Sequence, residues 1–380
     1  MSTGAGRRRR LLLTAAGVLM AIAAIVVFVG SDSGSDDGKA SGPPNEAGSR
    51  FRPDEQPDQG KAPDLTAAET ERRAARLFIA GFPTGTGPQR VWGGLLISDA
   101  NYESPSQLRA MVDGLQAAAR KNRKPVPMVV ADPSALGNLG PADAPTIGAE
   151  GTQADARETA LRSGRRVRTA GVDVVLAPSA DLAVGGGPAE SRSFGDDPRG
   201  VSAFVFQAVD GWLAGGVVPV PGRFPGEGAA SQDPIEGPAT VGLSVEELVA
   251  RDVRPFAGVV STAPAMQLSA AIYAAWDGVT PATLNPDVVR LLRRRVGYTG
   301  AIVSADLVAV TAATGEDVGR AAIDALKAGC DILMVPGGRA EQDAAFRAVV
   351  RAVQSGELSY ARFNDALRRA DALRERATRS

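Results

Sequence analysis

The stretch that decides the fold lies at residues 217–228, where the apolar run VVPV is followed, after one proline, by the loop sequence GRFPGEG. A second stretch of the same kind occurs at 301–307, where the apolar run AIVS leads into ADL. In both stretches, an apolar segment of strand length is followed by residues of which at least one is charged. Six more apolar runs of strand length are spread along the chain: 77–79, 94–97, 126–130, 172–176, 258–260 and 332–335.

Amphipathic, helix-forming segments separate most of these apolar runs. Strands that are apolar throughout and alternate with helices are typical of a parallel sheet covered by helices, and eight such units close a (β/α)8 TIM barrel. Periodicity alone also allows an open, doubly wound sheet. No Gly-x-Gly-x-x-Gly motif follows the first strand, so a dinucleotide cofactor is not predicted. The predicted helices are 106–121, 155–168, 201–213 and 317–327.

The N-terminal part of the chain differs in composition from the rest. Residues 1–10 end in four arginines and predict a short cytoplasmic tail. Residues 11–30 contain no charge, and because twenty helical residues span about 30 Å, they predict a transmembrane signal anchor. Residues 31–65, rich in Gly, Ser, Pro and Asp, predict a disordered linker. A folded domain at 66–380 is then expected outside the cell membrane, with secretion after signal cleavage as the alternative.

The overall composition excludes several classes of function. The formal net charge is −1, so no positive field attracts a polyanion and no nucleic-acid partner is expected. One cysteine and no histidine exclude an internal disulfide and an ordinary zinc site. No calcium-binding loop of recognisable spacing is present, so neither a metal nor a cofactor is predicted. Cys330 precedes an apolar run and is predicted to be a buried core residue.

Several segments, taken in their order and spacing, resemble glycoside hydrolase family 3, especially its single-barrel bacterial β-N-acetylglucosaminidases. The resemblance covers nearly everything from Leu77 to the last helix and implies a single-domain TIM barrel. It also implies a site at the C-terminal ends of the strands. Besides 222–228 and 301–307, the segments are GGLLI at 93–97, AP at 177–178 with Asp181, RSF at 192–194, PATL at 281–284 and AGCD at 328–331.

The resemblance implies where a catalytic pair should lie, and both positions are altered. In the family, a Ser-Asp-Asp or Ser-Asp-Trp sequence carries the nucleophile as its first Asp, and Ala305 stands there in this chain. The general acid in the glucosaminidases is a His in an Asp-Ser-His loop, and the matching residues here are Asp233, Pro234 and Ile235. A retaining glycosidase needs a carboxylate to attack the anomeric carbon and an acid to protonate the leaving oxygen. The sequence therefore predicts no intact catalytic pair.

Three other carboxylates are candidate substitutes for the missing groups. Asp306 follows Ala305 directly, but successive residues of a strand point in opposite directions, and capping of the following helix is the simpler role. Glu227 and Glu236 lie in or near the two loops and are candidate acids. The alternative for both is that they are solvated loop carboxylates with no role in catalysis.

Four polar residues remain as candidate ligand-binding positions. Asp132 ends the third strand and matches the family's aspartate that holds sugar hydroxyls, and Arg192 matches a substrate-contacting arginine. Gly222-Arg223 replaces a Lys-His pair, and Arg223 keeps the capacity to hydrogen-bond hydroxyl groups or a carboxylate. Asp181 is predicted either to contact a ligand or to hydrogen-bond within the fold. For Asp132 and Arg192 the alternative is a salt bridge at the barrel mouth.

Together these observations predict a membrane-anchored, extracytoplasmic family 3-like protein that no longer hydrolyses glycosidic bonds, in other words a pseudoenzyme. Its expected partner is a cell-wall glycan or muropeptide, or a protein, bound at the former cleft. The first alternative is a divergent, active β-N-acetylhexosaminidase that uses Asp306 with Glu227 or Glu236. The second alternative is a structural scaffold subunit whose cleft is filled.

Overall fold

A computed structural model describes residues 65–82, 90–140 and 144–379 of the chain. All of them belong to one compact unit, Glu55–Ser380. The predicted tail at 1–10, the predicted anchor at 11–30 and the predicted linker at 31–65, except its last residue, lie outside the described residues. Across the described ranges, no helix combines the length and the apolar character that crossing a bilayer demands.

Eight parallel strands form the central sheet, in the spatial order β5-β4-β3-β2-β1-β10-β9-β7. The sheet closes between β5 and β7 just beyond the strand ends, where Phe224 pairs with Leu268 and the Phe224 N–H donates to the Gln267 carbonyl at 2.9 Å. The predicted (β/α)8 TIM barrel is therefore confirmed. The strands are β1 Phe78–Gly81, β2 Gly94–Ile97, β3 Met128–Ala131, β4 Val174–Val175, β5 Val218–Pro219, β6 Thr240–Val241, β7 Ala265–Gln267, β8 Ile272–Tyr273, β9 Ala301–Asp306 and β10 Ile332–Val335, of which β6 and β8 form a separate parallel pair.

Helices cover the outside of the barrel, and polar caps fix where several of them begin. Thr152 accepts from the Asp155 N–H while the Asp155 carboxylate accepts from the Thr152 N–H, and Asp197 accepts from the Gly200 N–H. The helices are α1 Ala67–Ala75, α2 Pro105–Lys121, α3 Ala144–Glu150, α4 Gln153–Thr169, α5 Pro198–Ala214, α6 Val245–Ala250, α7 Arg254–Ala257, α8 Pro286–Arg290, α9 Leu307–Thr314, α10 Val318–Ala328, α11 Arg339–Ser355 and α12 Tyr360–Arg379. Short 3-10 segments occupy Asp99–Asn101, Pro133–Leu139 and Ala282–Leu284, and a π-helical turn occupies Leu291–Arg295.

The prediction for the sixth barrel strand is wrong. The apolar run at 258–260 lies in turns that follow α7, and the strand is β7, a few residues further on. Val259 is apolar because it packs into the core from a turn, where its N–H donates to the Phe256 carbonyl. The true strand ends in Gln267, whose side chain reaches the barrel mouth, so its sequence is less uniformly apolar.

A buried carboxylate holds β9 and β10 together near the start of β10. Asp331 is fully buried, accepts from the Ile302 N–H at 3.0 Å, and pairs with Arg293 at 2.8 Å and Arg362 at 2.9 Å. Cys330 beside it is buried, and burial raises the pKa of its thiol to about 12, which leaves it protonated and unreactive at neutral pH. This end of the barrel is built for stability, so the polar groups at the opposite, C-terminal rim are the candidate site.

Candidate functional site

Arg192 is the centre of an ion-pair cluster at the mouth of the barrel. Its three guanidinium nitrogens reach three carboxylates: Nε lies 3.2 Å from Asp181 Oδ2, Nη2 lies 3.2 Å from Glu227 Oε2, and Nη1 lies 3.1 Å from Asp233 Oδ2. Nη1 also donates to the Pro188 carbonyl at 2.6 Å. These partners come from the loop after β4 and from the segment after β5, so Arg192 ties the two loops together.

Glu227 is buried at the base of this cluster, with 1% of its surface exposed. Its Oε1 accepts from the Ser269 hydroxyl at 2.8 Å and from the Ala270 N–H at 3.1 Å, and its Oε2 faces Arg192 and, at 3.5 Å, Arg223. Burial raises the pKa of Glu227 to about 7, although the neighbouring Arg223 charge lowers it. All four partners hold the carboxyl group in one orientation.

Asp181 has no exposed surface, and it accepts a backbone hydrogen bond as well as facing the arginines. Its Oδ1 accepts from the Glu227 N–H at 2.8 Å, and its Oδ2 accepts from the Ser179 hydroxyl at 3.0 Å. Arg223 Nη1 lies 3.7 Å from the same Oδ2. Asp181 therefore fixes the backbone of the GRFPGEG loop, a hydrogen-bonding role that the sequence allowed beside ligand contact.

The position that the resemblance assigns to the nucleophile carries no reactive group. Ala305 is 4% exposed, its N–H donates to Thr283 Oγ1 at 3.1 Å, and its carbonyl accepts from the Ser304 hydroxyl at 2.7 Å. The next residue, Asp306, is the N-cap of α9: its Oδ1 accepts from the Val308 N–H at 2.8 Å and from a second backbone N–H of the first turn at 3.1 Å. Burial raises the pKa of Asp306, while these two N–H donors lower it.

The loop to which the resemblance assigns the general acid presents an aliphatic side chain to solvent. Ile235 is 67% exposed, and its N–H donates to Asp233 Oδ1 at 3.0 Å. Glu236 is also exposed, and its N–H donates to the Asp233 carbonyl. Of this loop, the residue that joins the ion-pair cluster is Asp233, which pairs with Arg192.

A cavity of about 320 Å³ opens beside the cluster. Asp132, Arg192 and Arg223 all line it, and Asp132 is the one carboxylate among the described lining residues. Asp132 Oδ1 also accepts from the Ser134 N–H at 2.9 Å and the Ser134 hydroxyl at 2.7 Å, so one of its oxygens is engaged in capping the adjacent 3-10 turn. The structure thus brings three of the four predicted ligand-binding residues to one cavity, while the fourth, Asp181, pairs with two of them and does not line it.

Three polar residues near the mouth were not predicted. Gln267 lines the cavity from the end of β7, the strand that was wrongly placed from the sequence, and Ser269, two residues later, donates a hydrogen bond to Glu227. Asp252 is 1% exposed, its Oδ2 has no hydrogen-bond partner among the described residues, and burial raises its pKa to about 6. A lone aspartate in the sequence RDV gives no signal of burial, so its burial could not be predicted from the sequence.

Within the described ranges, no three Cys, Asp or Glu side chains come together as metal ligands.

The sequence is similar to those of known proteins. Residues 88–373 match the profile of the Glycosyl hydrolase family 3 N terminal domain. A beta-hexosaminidase of Xanthomonas campestris pv. campestris (strain B100) is 31% identical over 188 residues, which are 49% of this chain and 56% of that protein. Beta-hexosaminidase LpqI of Mycobacterium tuberculosis (strain ATCC 25618 / H37Rv) is 28% identical over 313 residues, which are 75% of this chain and 78% of LpqI.

Solved structures agree with the sequence comparison. The glycoside hydrolase family 3 beta-N-acetylglucosaminidase from Paenibacillus sp. str. FPU-7 superposes with a TM-score of 0.77 at 27% sequence identity, over 81% of this chain and 62% of that one. The chain spans about half the length of the Xanthomonas relative and less than two thirds of the Paenibacillus enzyme. Because the family profile covers most of the chain and the fold agrees, the chain belongs to glycosyl hydrolase family 3.

Proposed function

We propose that this protein is a glycan-binding member of family 3 that does not hydrolyse its ligand. The observation that carries the proposal is the side chain of Ala305, a methyl group at the position where the resemblance requires a nucleophile. The acid position supports the same conclusion, because Ile235 cannot donate a proton and is directed to solvent. Loss of both the nucleophile and the general acid removes most of the rate enhancement of a retaining mechanism.

The remaining carboxylates do not replace the lost pair. Asp306 accepts two backbone N–H bonds at the start of α9, and a nucleophile there would have to leave that cap. Glu236 is exposed, away from the ion-pair cluster that Asp233 joins. Glu227 is held by Arg192, Arg223 and two further donors. None of these three residues is among those that line the cavity.

The ligand expected in the cavity is a cell-wall glycan or muropeptide. Asp132, Arg192 and Arg223 offer one acceptor and two multi-donor groups, and Ser179 and Gln267 add neutral donors and acceptors on the same walls. A few convergent polar groups in a preformed hollow of this size are typical of a small-molecule site. Relatives named beta-hexosaminidases support a hexosaminide as the sugar.

An active, divergent β-N-acetylhexosaminidase is the second candidate, and one observation favours it. The pKa of Glu227, raised to about 7 by burial, suits a general acid at neutral pH. Activity nevertheless requires a nucleophile or an activated water as well, and Glu227 is paired with two arginines that would have to move.

An assay of the unit Glu55–Ser380, which contains the whole described core, separates these functions. We expect no turnover of an aryl N-acetylglucosaminide above the buffer rate, together with saturable heat of binding on titration with muropeptides. Turnover that Asp306→Ala or Glu227→Gln abolishes would contradict the proposal. If no muropeptide binds at millimolar concentration, the scaffold role is favoured instead.

We also propose that residues 11–30 anchor the protein in the cell membrane and that its barrel lies on the outer side. The support is the charge-free run itself, preceded by four arginines. Fractionation of cells that express the full chain tests this. We expect the protein in the membrane fraction and accessible to protease in spheroplasts, whereas recovery of a shortened chain in the medium would indicate cleavage.

A further inference from the structure

We propose that the end of the barrel opposite the cavity mouth binds an anionic phospholipid surface. The inference rests on the location beside a membrane proposed above and adds the surface of the protein that meets the bilayer. Its starting point is an uneven distribution of charge, which the formal net charge of −1 conceals. Five exposed cations, called here the basic face, carry it: Arg120, Lys121, Arg123, Lys124 and Arg165.

The fold places the basic face at the N-terminal end of the strands. In a (β/α)8 barrel each helix ends beside the start of the next strand, whereas the mouth lies where the strands end. Residues 120–124 lie at the end of α2 and shortly before β3, and Arg165 lies near the end of α4, before β4. β3 and β4 are paired, and a Cβ atom added at Gly171, just after α4, would lie 2.9 Å from Val112 of α2. The two helix ends are therefore neighbours.

The cations of the basic face are not neutralised within the protein. None of them has an ion-pair partner among the described residues. Carboxylates are present at the same end, but other arginines use them: Asp173 pairs with Arg168, and Asp371 pairs with Arg76 and Arg374. The basic face therefore keeps its positive charge and is free to meet an external anion.

A helix laid across the barrel end makes the surface beside the basic face broad and closed. α12 contacts both β3 and β9, which three strands separate in the sheet. Its Arg362 lies 2.9 Å from Asp331, which precedes β10, and its Arg374 donates to the Arg76 carbonyl, which precedes β1, at 2.9 Å. A closed end of this kind suits an extended partner surface rather than a small ligand held in a cleft.

The backbone at Arg123 adds an independent observation. α2 ends in a Schellman motif, in which the Lys124 N–H donates to the Ala119 carbonyl at 2.9 Å and the Arg123 N–H donates to the Arg120 carbonyl at 3.0 Å. Arg123 has a φ of 50°, a left-handed conformation that glycine adopts freely and other residues adopt at a cost. A long, charged side chain thus occupies a position where glycine would stabilise the fold, as expected of a residue that serves binding.

The helix dipole alone does not account for the basic face. Cations are favoured in the last turn of a helix, but this effect fades beyond that turn. Arg123 and Lys124 follow the end of α2, which already has Arg120 and Lys121 in its last turn. Four like charges so close together repel one another, so an anionic partner would lower the free energy of this segment.

The loops at the mouth have the opposite charge. Glu190, Asp196 and Glu236 are exposed in the loops after β4 and β5, and they have no ion-pair partner among the described residues. An anionic bilayer attracts the basic face and repels these carboxylates. The contact that we propose therefore directs the cavity away from the membrane, towards the cell wall in which its glycan is expected.

Vesicle binding tests the inference. The unit Glu55–Ser380, which contains the whole described core and lacks the predicted anchor, is mixed with vesicles, and the bound fraction is measured by flotation. The vesicles consist of phosphatidylglycerol and phosphatidylcholine in equal parts, or of phosphatidylcholine alone. We expect binding to the anionic vesicles only, and its loss at about 1 M salt, where the Debye length is about 3 Å.

Three variants locate the contact. A basic residue near an anionic surface strengthens binding about fivefold, so Lys121→Gln/Lys124→Gln should bind about 25-fold more weakly. Arg199→Gln/Arg339→Gln is the matched control, because it removes two exposed cations at the starts of α5 and α11, at the mouth end, and should bind as the wild type does. Arg123→Gly should bind about fivefold more weakly and yet be at least as stable in urea, since glycine accepts the positive φ.

Several results would overturn the inference. It is wrong if phosphatidylcholine vesicles bind equally well, or if the control variant loses as much affinity as Lys121→Gln/Lys124→Gln. It is also wrong if duplex DNA or polyglutamate binds while anionic vesicles do not, because the partner is then a soluble polyanion. None of these results bears on the predicted anchor or on glycan binding, which are tested with the full chain and with muropeptides.

Discussion

Substitution of Glu227 by glutamine should remove a specific pH dependence from the stability of the barrel. The carboxyl group is buried among Arg192, Arg223 and Asp181, and its pKa in the folded protein is about 7, against 4.5 for an unperturbed glutamate. Burial is the main cause, because it disfavours the charged form. Glutamine keeps the shape of the side chain and can still accept from Ser269, but it does not titrate.

The magnitude follows from linkage between protonation and folding. A group whose pKa is raised in the folded state gives stability that is fully present below the unfolded pKa of 4.5. That contribution is lost as the pH rises to the folded pKa of about 7. One pKa unit corresponds to 1.36 kcal/mol, so the wild type should lose about 3 kcal/mol from this residue between pH 4.5 and pH 7.5. The variant should not lose this amount.

Urea denaturation of both proteins at half-unit intervals from pH 4.5 to pH 8 measures the effect. The unfolding free energy of Glu227→Gln minus that of the wild type should increase by about 3 kcal/mol from pH 4.5 to pH 8. Glu236→Gln, in the exposed loop nearby, is the matched control and should give a difference independent of pH. A constant difference for Glu227→Gln, or a shift in the opposite direction, would refute the proposed protonation of Glu227 inside the cluster.

Three further predictions concern other buried positions. Asp252→Asn should stabilise the protein by up to about 3 kcal/mol at pH 8 and by little at pH 4, because the pKa of Asp252 rises to about 6 on folding; denaturation at the two pH values checks this. Asp331→Ala should cost about 3–5 kcal/mol in unfolding free energy, since it leaves Arg293 and Arg362 without their shared carboxylate; a loss below 1 kcal/mol in urea melts would contradict this. Ala305→Asp should lower the melting temperature without producing turnover of an aryl N-acetylglucosaminide, because no acid stands at position 235.

Most of the barrel could be predicted because burial imposes a simple pattern on parallel strands. Strands covered on both sides are apolar throughout, and seven of the eight coincide with the apolar runs of the sequence. The exception has a physical cause. Val259 is as buried as a strand residue but lies in a turn, whereas β7 ends in a glutamine that points to the mouth. Apolar character reports burial and does not by itself report backbone conformation.

Part of the candidate site could be predicted from the sequence, but the contacts between its residues could not. Arg192, Arg223, Asp181 and Glu227 were all singled out, yet nothing in their spacing shows that one arginine contacts carboxylates 11, 35 and 41 residues away. Those contacts depend on how two loops fold over the strand ends. The raised pKa of Glu227 depends on the burial of its side chain between these loops, so it could not be predicted from the sequence either.

Under the proposed function, the hydrogen bonds of the cluster explain why carboxylates remain close to a position that carries no reactive group. Asp181 accepts the backbone N–H of Glu227, and Glu227 accepts the backbone N–H of Ala270, so each carboxylate holds a loop as well as facing an arginine. Removing either would leave a buried N–H without its acceptor and would take away one of the carboxylates that face Arg192 and Arg223, at a cost to folding whether or not a sugar is cleaved. Ala305 is different, because its backbone N–H and carbonyl are bonded by the Thr283 and Ser304 hydroxyls, and its own side chain holds nothing in place. A carboxylate at position 305 has no backbone group to hold, so the loss of hydrolysis that we propose costs the fold nothing, whereas Asp181 and Glu227 are kept for the hydrogen bonds that they accept.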